Sequence, residues 1–244
     1  MKRLWQRFFM DRISLDPTFA ETETATYSLR VAGVDMQLTD FKESTALRSI
    51  FKELSRDELG ILGLHLPVGA KIIDIGGHVG SLSIYLAKRF PQAEIHCFEA
   101  FDANFEYLLR NLEANDVENV VARNLAVTAD GRPFSMMCGR GHSGGGTGCS
   151  ACSDGDGAYT VDSIELDTIY EELGGCDLLK IDCEGAEHEI LKGAQCLDQV
   201  GHLIGEFHMN DHLREQGHDS GSLLELVRQK VQGHVGVKCI EMCR

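Results

Sequence analysis

Two short stretches concentrate side chains able to do chemistry. KIDCEGAEHE places Lys180, Asp182, Glu184, His188 and Glu189 within ten residues, and GEFHMND adds Glu206 and His208. Carboxylates and imidazoles at this density suit removal of a proton from a hydroxyl, with a lysine to orient or neutralise. On an extended strand Lys180 and Asp182 point to one face, as do Glu206 and His208. On a helix Glu184 and His188, four apart, share another face. If the two strands are neighbours, Asp182, Glu206 and His208 converge. Asp182 or His208 is then the candidate general base, with Lys180 and Glu184 orienting the acceptor or each other. The same Asp182, Glu206 and His208 could hold a divalent ion such as magnesium; the reading without a metal is preferred. Glu184 doubles as a helix-start acid favoured by the macrodipole, and His188 is expected to be an exposed helix histidine.

A second constellation lies upstream, in KIIDIGGHVGSLSIY. Asp74 sits inside an apolar run, followed by Gly76, Gly77 and Gly80. Glycine tolerates φ > 0 and lets a ligand lie against the backbone. The spacing is not the dinucleotide G-x-G-x-x-G, because Ile75 stands at its first glycine, and no Gly-Lys-Ser/Thr follows as in a phosphate-binding loop. Glu99, 25 residues after Asp74, ends the next apolar run, where a carboxylate accepts both hydroxyls of a ribose. A glycine turn with an acid before it and a ribose acid beside it suits an adenosine-bearing cofactor without phosphates. S-adenosylmethionine, with its sulfonium and amino cations, fits that description.

These residues need a scaffold, and the chain supplies the signals for one. From Ala70 onward, short apolar runs alternate with helical periodicity: Ile72–Ile75, Ala93–Phe98, Val120–Arg123, Leu178–Asp182, HLIGEFH and HVGVKCIEMC read as strands. Val79, Leu82, Leu86 and Phe90 line one helix between them. Phe105, Leu108, Leu109 and Leu112 line the next, capped by Asp102 or Asn104. That rhythm predicts an α/β fold, a doubly wound and mostly parallel Rossmann-like sheet. Residues 1–69 read as an extension: a hairpin around Ala32-Gly33, then a helix carrying Leu47, Ile50, Phe51 and Leu54 with Ser44 as its cap. Residues 70–244 form the cofactor-binding domain, interrupted by a glycine-rich loop over 139–157.

Composition narrows the class. At 244 residues with 43% hydrophobic and 25% charged side chains, the chain is globular. A formal charge of −15 argues against a nucleic-acid substrate. The start, MKRLWQRFFMDR, lacks the apolar core of a signal peptide, and no run of about 18 apolar residues exists to span a membrane. A cytoplasmic location is therefore expected. Nine cysteines, an odd number, suit reduced thiols better than a disulfide framework. Cys149 and Cys152 form a C-x-x-C that would need distant partners such as Cys239 and Cys243 to hold zinc.

IIDIGGHVGSLSIYLAKRFPQAEIHCFEAFDANFEYLLRNL resembles class I S-adenosylmethionine-dependent methyltransferases of the FkbM family. NLAVTADGRPF and DLLKIDCEGAEHEILKGA do too, the last carrying the K-I-D-x-E-G-A-E core from Lys180 to Glu187. The resemblance covers roughly residues 70 to 210. It implies a seven-stranded sheet and methyl transfer, usually to oxygen, on sugars, lipids or natural-product scaffolds. By position it makes Asp74, Gly76, Gly77 and Gly80 cofactor-loop residues and Glu99 with Ala100 the ribose end. It puts Asn124 near the adenine and Asp182 at the active-site end of its strand, where Asp182 also counts among the cofactor-binding residues. His78 stands where the family more often has a small polar residue. The expected activity is therefore O-methylation of a small-molecule acceptor. The alternatives are N-methylation, a nucleic-acid methyltransferase (which lacks support here, as no N/D-P-P-Y occurs) or a non-catalytic binding module.

Overall fold

A computed structural model of the chain describes residues 13–14, 24–42, 44–137 and 158–241. In chain order the strands are β1 (Ile13–Ser14), β2 (Thr24–Val31), β3 (Val34–Phe41), β4 (Lys71–Ile75), β5 (Glu94–Phe98), β6 (Val120–Arg123), β7 (Ala126–Thr128), β8 (Phe134–Met137), β9 (Ala158–Val161), β10 (Ser163–Glu165), β11 (Cys176–Ile181), β12 (Val200–Met209) and β13 (Val235–Glu241). The helices are α1 (Ala46–Arg56), α2 (Ser81–Arg89), α3 (Asp102–Ala114), α4 (Leu166–Leu173), α5 (Glu187–Gly193), α6 (Asp211–Glu215) and α7 (Ser220–Lys230).

Three isoleucines make β4 a strand that both faces of a sheet can bury, as a central parallel strand requires. Ile72, Ile73 and Ile75 are all essentially inaccessible. Alternation along the strand sends Ile72 into one core, with Ile84, Tyr85, Ile95 and Leu108, and Ile73 and Ile75 into the other, with Leu179, Ile181 and Phe207. The central sheet runs β13-β12-β11-β4-β5-β6, and every pairing in it is parallel. Winding proceeds outward from β4 on one side and from β11 on the other, so the order reverses between these two neighbours. Their carboxyl ends are where such a sheet binds ligands. The described residues supply six strands to this sheet, one fewer than the resemblance implied.

The hairpin turns at Ala32 and Gly33, both at positive φ (47° and 86°), as a two-residue turn matched to strand twist demands. Two asparagines dock it. Asn111 Oδ1 accepts from Thr39 N at 2.7 Å and its Nδ2 donates to the carbonyls of Thr39 and Val79. Asn115, four residues on, repeats the pattern with Gln37. These amides occupy backbone groups that β3 would otherwise leave open at its edge. Leu38 of the hairpin and Leu47 and Leu54 of α1 join the same core as β4.

Several local expectations need correction. Leu109 lies on the outer face of α3, 47% exposed, while Asn104 and Asn111 face inward to make hydrogen bonds. Neither α1 nor α3 has a side-chain cap: their first turns follow Thr45 and Phe101, and Ser44 Oγ accepts from Ala46 N, two residues on. The strand expected to reach Asp182 stops at Ile181, and α5 begins at Glu187 rather than at Glu184. Glu184 and Gly185 take positive φ (56° and 112°), which no helix accommodates. The short parallel pair β7-β10 and antiparallel pair β8-β9 carry no clear sequence signal. The 139–157 loop, Cys149, Cys152 and Cys243 lie outside the described residues. Cys97, Cys176 and Cys196 are buried free thiols, and Cys239 is exposed. No helix among the described residues is long and apolar enough to cross a membrane.

Candidate active site

The turn after β4 is built by close approach. The N–H groups of Gly76 and Gly77 both donate to the Phe98 carbonyl at 2.9 Å, tying the turn to the end of β5. Gly76 sits at φ +80°, and a Cβ there would lie 1.8 Å from the Asp182 carbonyl oxygen. Strain and overlap act together, so Gly76→Ala is expected to destabilise the fold by at least about 2 kcal/mol. Urea unfolding checks this; a loss under about 0.5 kcal/mol would show that the turn can relax.

Glu99 closes the same turn from the other side. Its Oε2 accepts from His78 N at 2.7 Å and its Oε1 from Phe101 N at 2.9 Å. His78 itself takes φ +50°, so the carboxylate holds a strained residue in place. Asn124 donates to the carbonyls of Glu99 and Ala100, at 3.0 and 3.4 Å. The structure thus brings Gly76, Gly77, Glu99, Ala100 and Asn124 to one end of β4 and β5. Gly80 starts α2 and packs against Leu108, behind the turn.

Asp74 is elsewhere than expected. Its side chain is inaccessible and points into the sheet, not toward a ligand. Ser83 Oγ donates to it at 2.6 Å and Lys180 Nζ lies 3.0 Å from its Oδ1. The register pairs Lys180 with Asp74 across β11 and β4, so the two buried charges meet by strand alignment. Lys180 also donates to the carbonyls of Ile75 and Gly76, pinning the start of the glycine turn from below. Burial opposes its charge, but Asp74 and Asp182 hold its pKa above the ordinary lysine range.

Asp182, Glu206 and His208 do converge: one potential ligand atom from each lies within 4.8 Å of the others. β11 and β12 are neighbours, which places Asp182 just beyond one strand and Glu206 and His208 along the other. His208 Nδ1 meets Glu187 Oε1 at 3.1 Å, and Nε2 stands 3.6 Å from Glu206 Oε2 and 3.8 Å from Glu184 Oε2. Glu187 is inaccessible and also accepts from the N–H groups of Cys183 and Gly185, so it shapes the 183–186 turn and the imidazole together. Burial would lower the His208 pKa. The Glu187 hydrogen bond, with the charges of Glu187, Asp182 and Glu184, overcomes this and pushes it up to about 9. Burial, then the Asp182 charge, push Glu206 up to about 7, making it the proton acceptor best matched to neutral pH.

Glu184 lies in the turn rather than on the helix. His188, expected to be exposed, is fully buried and its Nε2 donates to the His208 carbonyl at 3.0 Å. Glu187, Lys238 and Glu53 escaped sequence reading. Glu187 had a signal, as the second acid of E-G-A-E. Lys238 and Glu53 had none, since Lys238 bridges Glu206 Oε1 at 2.9 Å and Glu53 Oε1 at 2.8 Å across 32 and 185 residues. This bridge fastens α1 over a cleft lined by Gly76, His78, Lys180, Asp182 and Glu206 from the sheet and by Ile50 and Leu54 from the helix.

Doubly wound parallel sheet, glycine turn and strand-end acid define a class, the S-adenosylmethionine-dependent methyltransferases. The chain belongs to the methyltransferase FkbM domain family, whose model matches residues 74–232. It is 27% identical over 187 residues to methyltransferase sdnD of Sordaria araneosa, with 59% of this chain and 67% of that protein covered. It is 25% identical over 148 residues to methyltransferase 1 of Beauveria bassiana, with 52% and 59% covered. A crystal structure of a SAM-dependent methyltransferase from Agrobacterium tumefaciens aligns with 99% of this chain and 70% of its own, at TM-score 0.48 and 14% identity.

Proposed function

We propose that the protein methylates a hydroxyl oxygen on a small-molecule acceptor, such as a sugar or natural-product scaffold, with S-adenosylmethionine as donor. One observation carries the reading. Gly76 and Gly77 of the turn braced by Glu99 line one cleft with Asp182 and Glu206 at the switch point of the sheet, beside Ile50 and Leu54 of α1. When bound, the donor supplies an electrophilic methyl group. The donor chemistry of the turn fits it: Glu99 is a hydroxyl acceptor for the ribose, and Gly76 and Gly77 present backbone without side chains. Asn124 and Ala100 form the wall beside the adenine. Asp74 contributes through Lys180, which keeps the turn in position, instead of by contact.

The acceptor's hydroxyl faces Asp182, Glu184, Glu206 and His208. That cluster orients it and lowers the cost of losing its proton, while α1 and its Glu53–Lys238 bridge exclude water from the transfer. From the N-terminal extension, α1 thus serves as an acceptor-site cover over the cofactor-binding domain. A deprotonated oxygen needs such a set far more than an amine does, which favours oxygen over nitrogen as the acceptor atom. The test is calorimetric titration with S-adenosylhomocysteine, then product release with panels of hydroxylated and amine acceptors. Binding without turnover on hydroxyl acceptors, but with turnover on amines, would overturn the oxygen assignment.

A further inference from the structure

We propose that Asp182, Glu206 and His208 form a divalent-cation site, with Glu187 and Lys238 as its orienting partners. The proposal deepens the acceptor-site reading above and names how the cluster acts. Three geometric facts carry it. First, the His208 side chain is 5% exposed, yet its Nε2 makes no hydrogen bond among the described residues. The nearest carboxylate oxygens stand off at 3.6 Å (Glu206) and 3.8 Å (Glu184), too far for hydrogen bonds. Oxygen and nitrogen ligands about 2.1 Å from a shared ion stand about 3.0 Å apart when adjacent and about 4.2 Å when opposite. The His208–Glu206 separation falls between these values, and a ligand atom of Asp182 lies within 4.8 Å of both partners.

Second, the imidazole is prepared as a ligand. The buried Glu187 carboxylate takes Nδ1 at 3.1 Å, leaving Nε2 aimed into the cluster. A carboxylate behind a ligating histidine fixes the ring's tautomer and orientation. Third, Glu206 is held in the same manner: Lys238 takes Oε1 at 2.9 Å and leaves Oε2 toward His208. Asp182 is placed by its backbone, which donates to the Ile75 carbonyl at 3.1 Å. Its side chain is 37% exposed, so the site opens toward the cleft where the acceptor binds.

One imidazole with two carboxylates suits a first-row ion of intermediate hardness, so Mn²⁺ is expected to bind more tightly than Mg²⁺. Such an ion would make an acceptor hydroxyl more acidic. The test is Mn²⁺ titration of chelator-stripped full-length protein, read by electron paramagnetic resonance of the free ion. One Mn²⁺ per chain is expected. Asp182→Asn with Glu206→Gln should abolish binding, and Glu187→Gln should weaken it 10- to 100-fold. S-adenosylhomocysteine binding, measured in parallel, should survive in all variants and so reports that they are folded. Stoichiometric Mn²⁺ binding that the double variant leaves unchanged would overturn the site. So would no Mn²⁺ uptake by protein that still binds S-adenosylhomocysteine, in which case Glu206 acts as an unassisted base and the methyltransferase reading stands. Mn²⁺ uptake without nucleoside uptake would instead uphold the ion site and remove the proposed function.

Discussion

Lys180→Met is expected to destabilise the protein by about 3–5 kcal/mol, enough to leave much of it unfolded at physiological temperature. The ammonium and its partner are both buried, with side chains 6% and 0% exposed. Methionine fills much of the volume but removes the charge, leaving the Asp74 carboxylate with Ser83 as its nearby donor. It also strips a donor from the Ile75 and Gly76 carbonyls at the entry to the glycine turn. An unpaired buried carboxylate costs far more than the net worth of the pair, which predicts recovery when the second charge is also removed. Asp74→Asn on the Lys180→Met background should therefore regain at least about 1–2 kcal/mol, a coupling that a double-mutant cycle isolates. Urea unfolding of the four proteins measures it. Additive losses, with no recovery in the double variant, would mean that the pair contributes by packing alone.

Glu99→Gln should lower S-adenosylhomocysteine affinity about 100-fold, or about 2.7 kcal/mol, while costing the fold much less. The carboxylate is 7% exposed, with each oxygen accepting from a backbone N–H. A glutamine keeps one acceptor but turns an amide donor toward His78 or Phe101, donor against donor. The turn then loses its brace at the strained His78, and on the proposed function the ribose would lose a charged acceptor. Sites built to hydrogen-bond hydroxyls are penalised heavily when a partner is removed, because the remaining polar groups stay desolvated. Calorimetry against the unaltered protein decides the matter. Affinity within threefold of the original would remove Glu99 from the ribose role.

Much of this architecture is legible along the chain. Ile72–Ile75 and Ala93–Phe98 declare themselves as buried strands because a central parallel strand leaves no room for polar alternation. Gly76 and Gly77 mark the turn and Glu99 the end of β5, since each signal depends on immediate neighbours. The convergence of Asp182, Glu206 and His208 follows from their strand positions once β11 and β12 are neighbours. Other features resisted. His188 looked like an exposed helix residue, yet it is buried by contact with β12. Glu184 looked helical, but the turn that Glu187 holds gives it positive φ.

The order of apolar runs, the glycine bend and the acid at the end of β5 were thus determined by sequence alone, because periodicity and backbone freedom are local properties. Only the tertiary structure decided where each charge points. Asp74 turns inward because strand register sets Lys180 opposite it from 106 residues away. His208 faces Glu187 because a helix turn and a strand end pack together. Glu206 is tied to α1 through Lys238, which stands on β13, far along the chain from both. Electrostatic partners of this kind are chosen by three-dimensional proximity in a medium of low dielectric constant, where even a small displacement changes which charges can be buried at all.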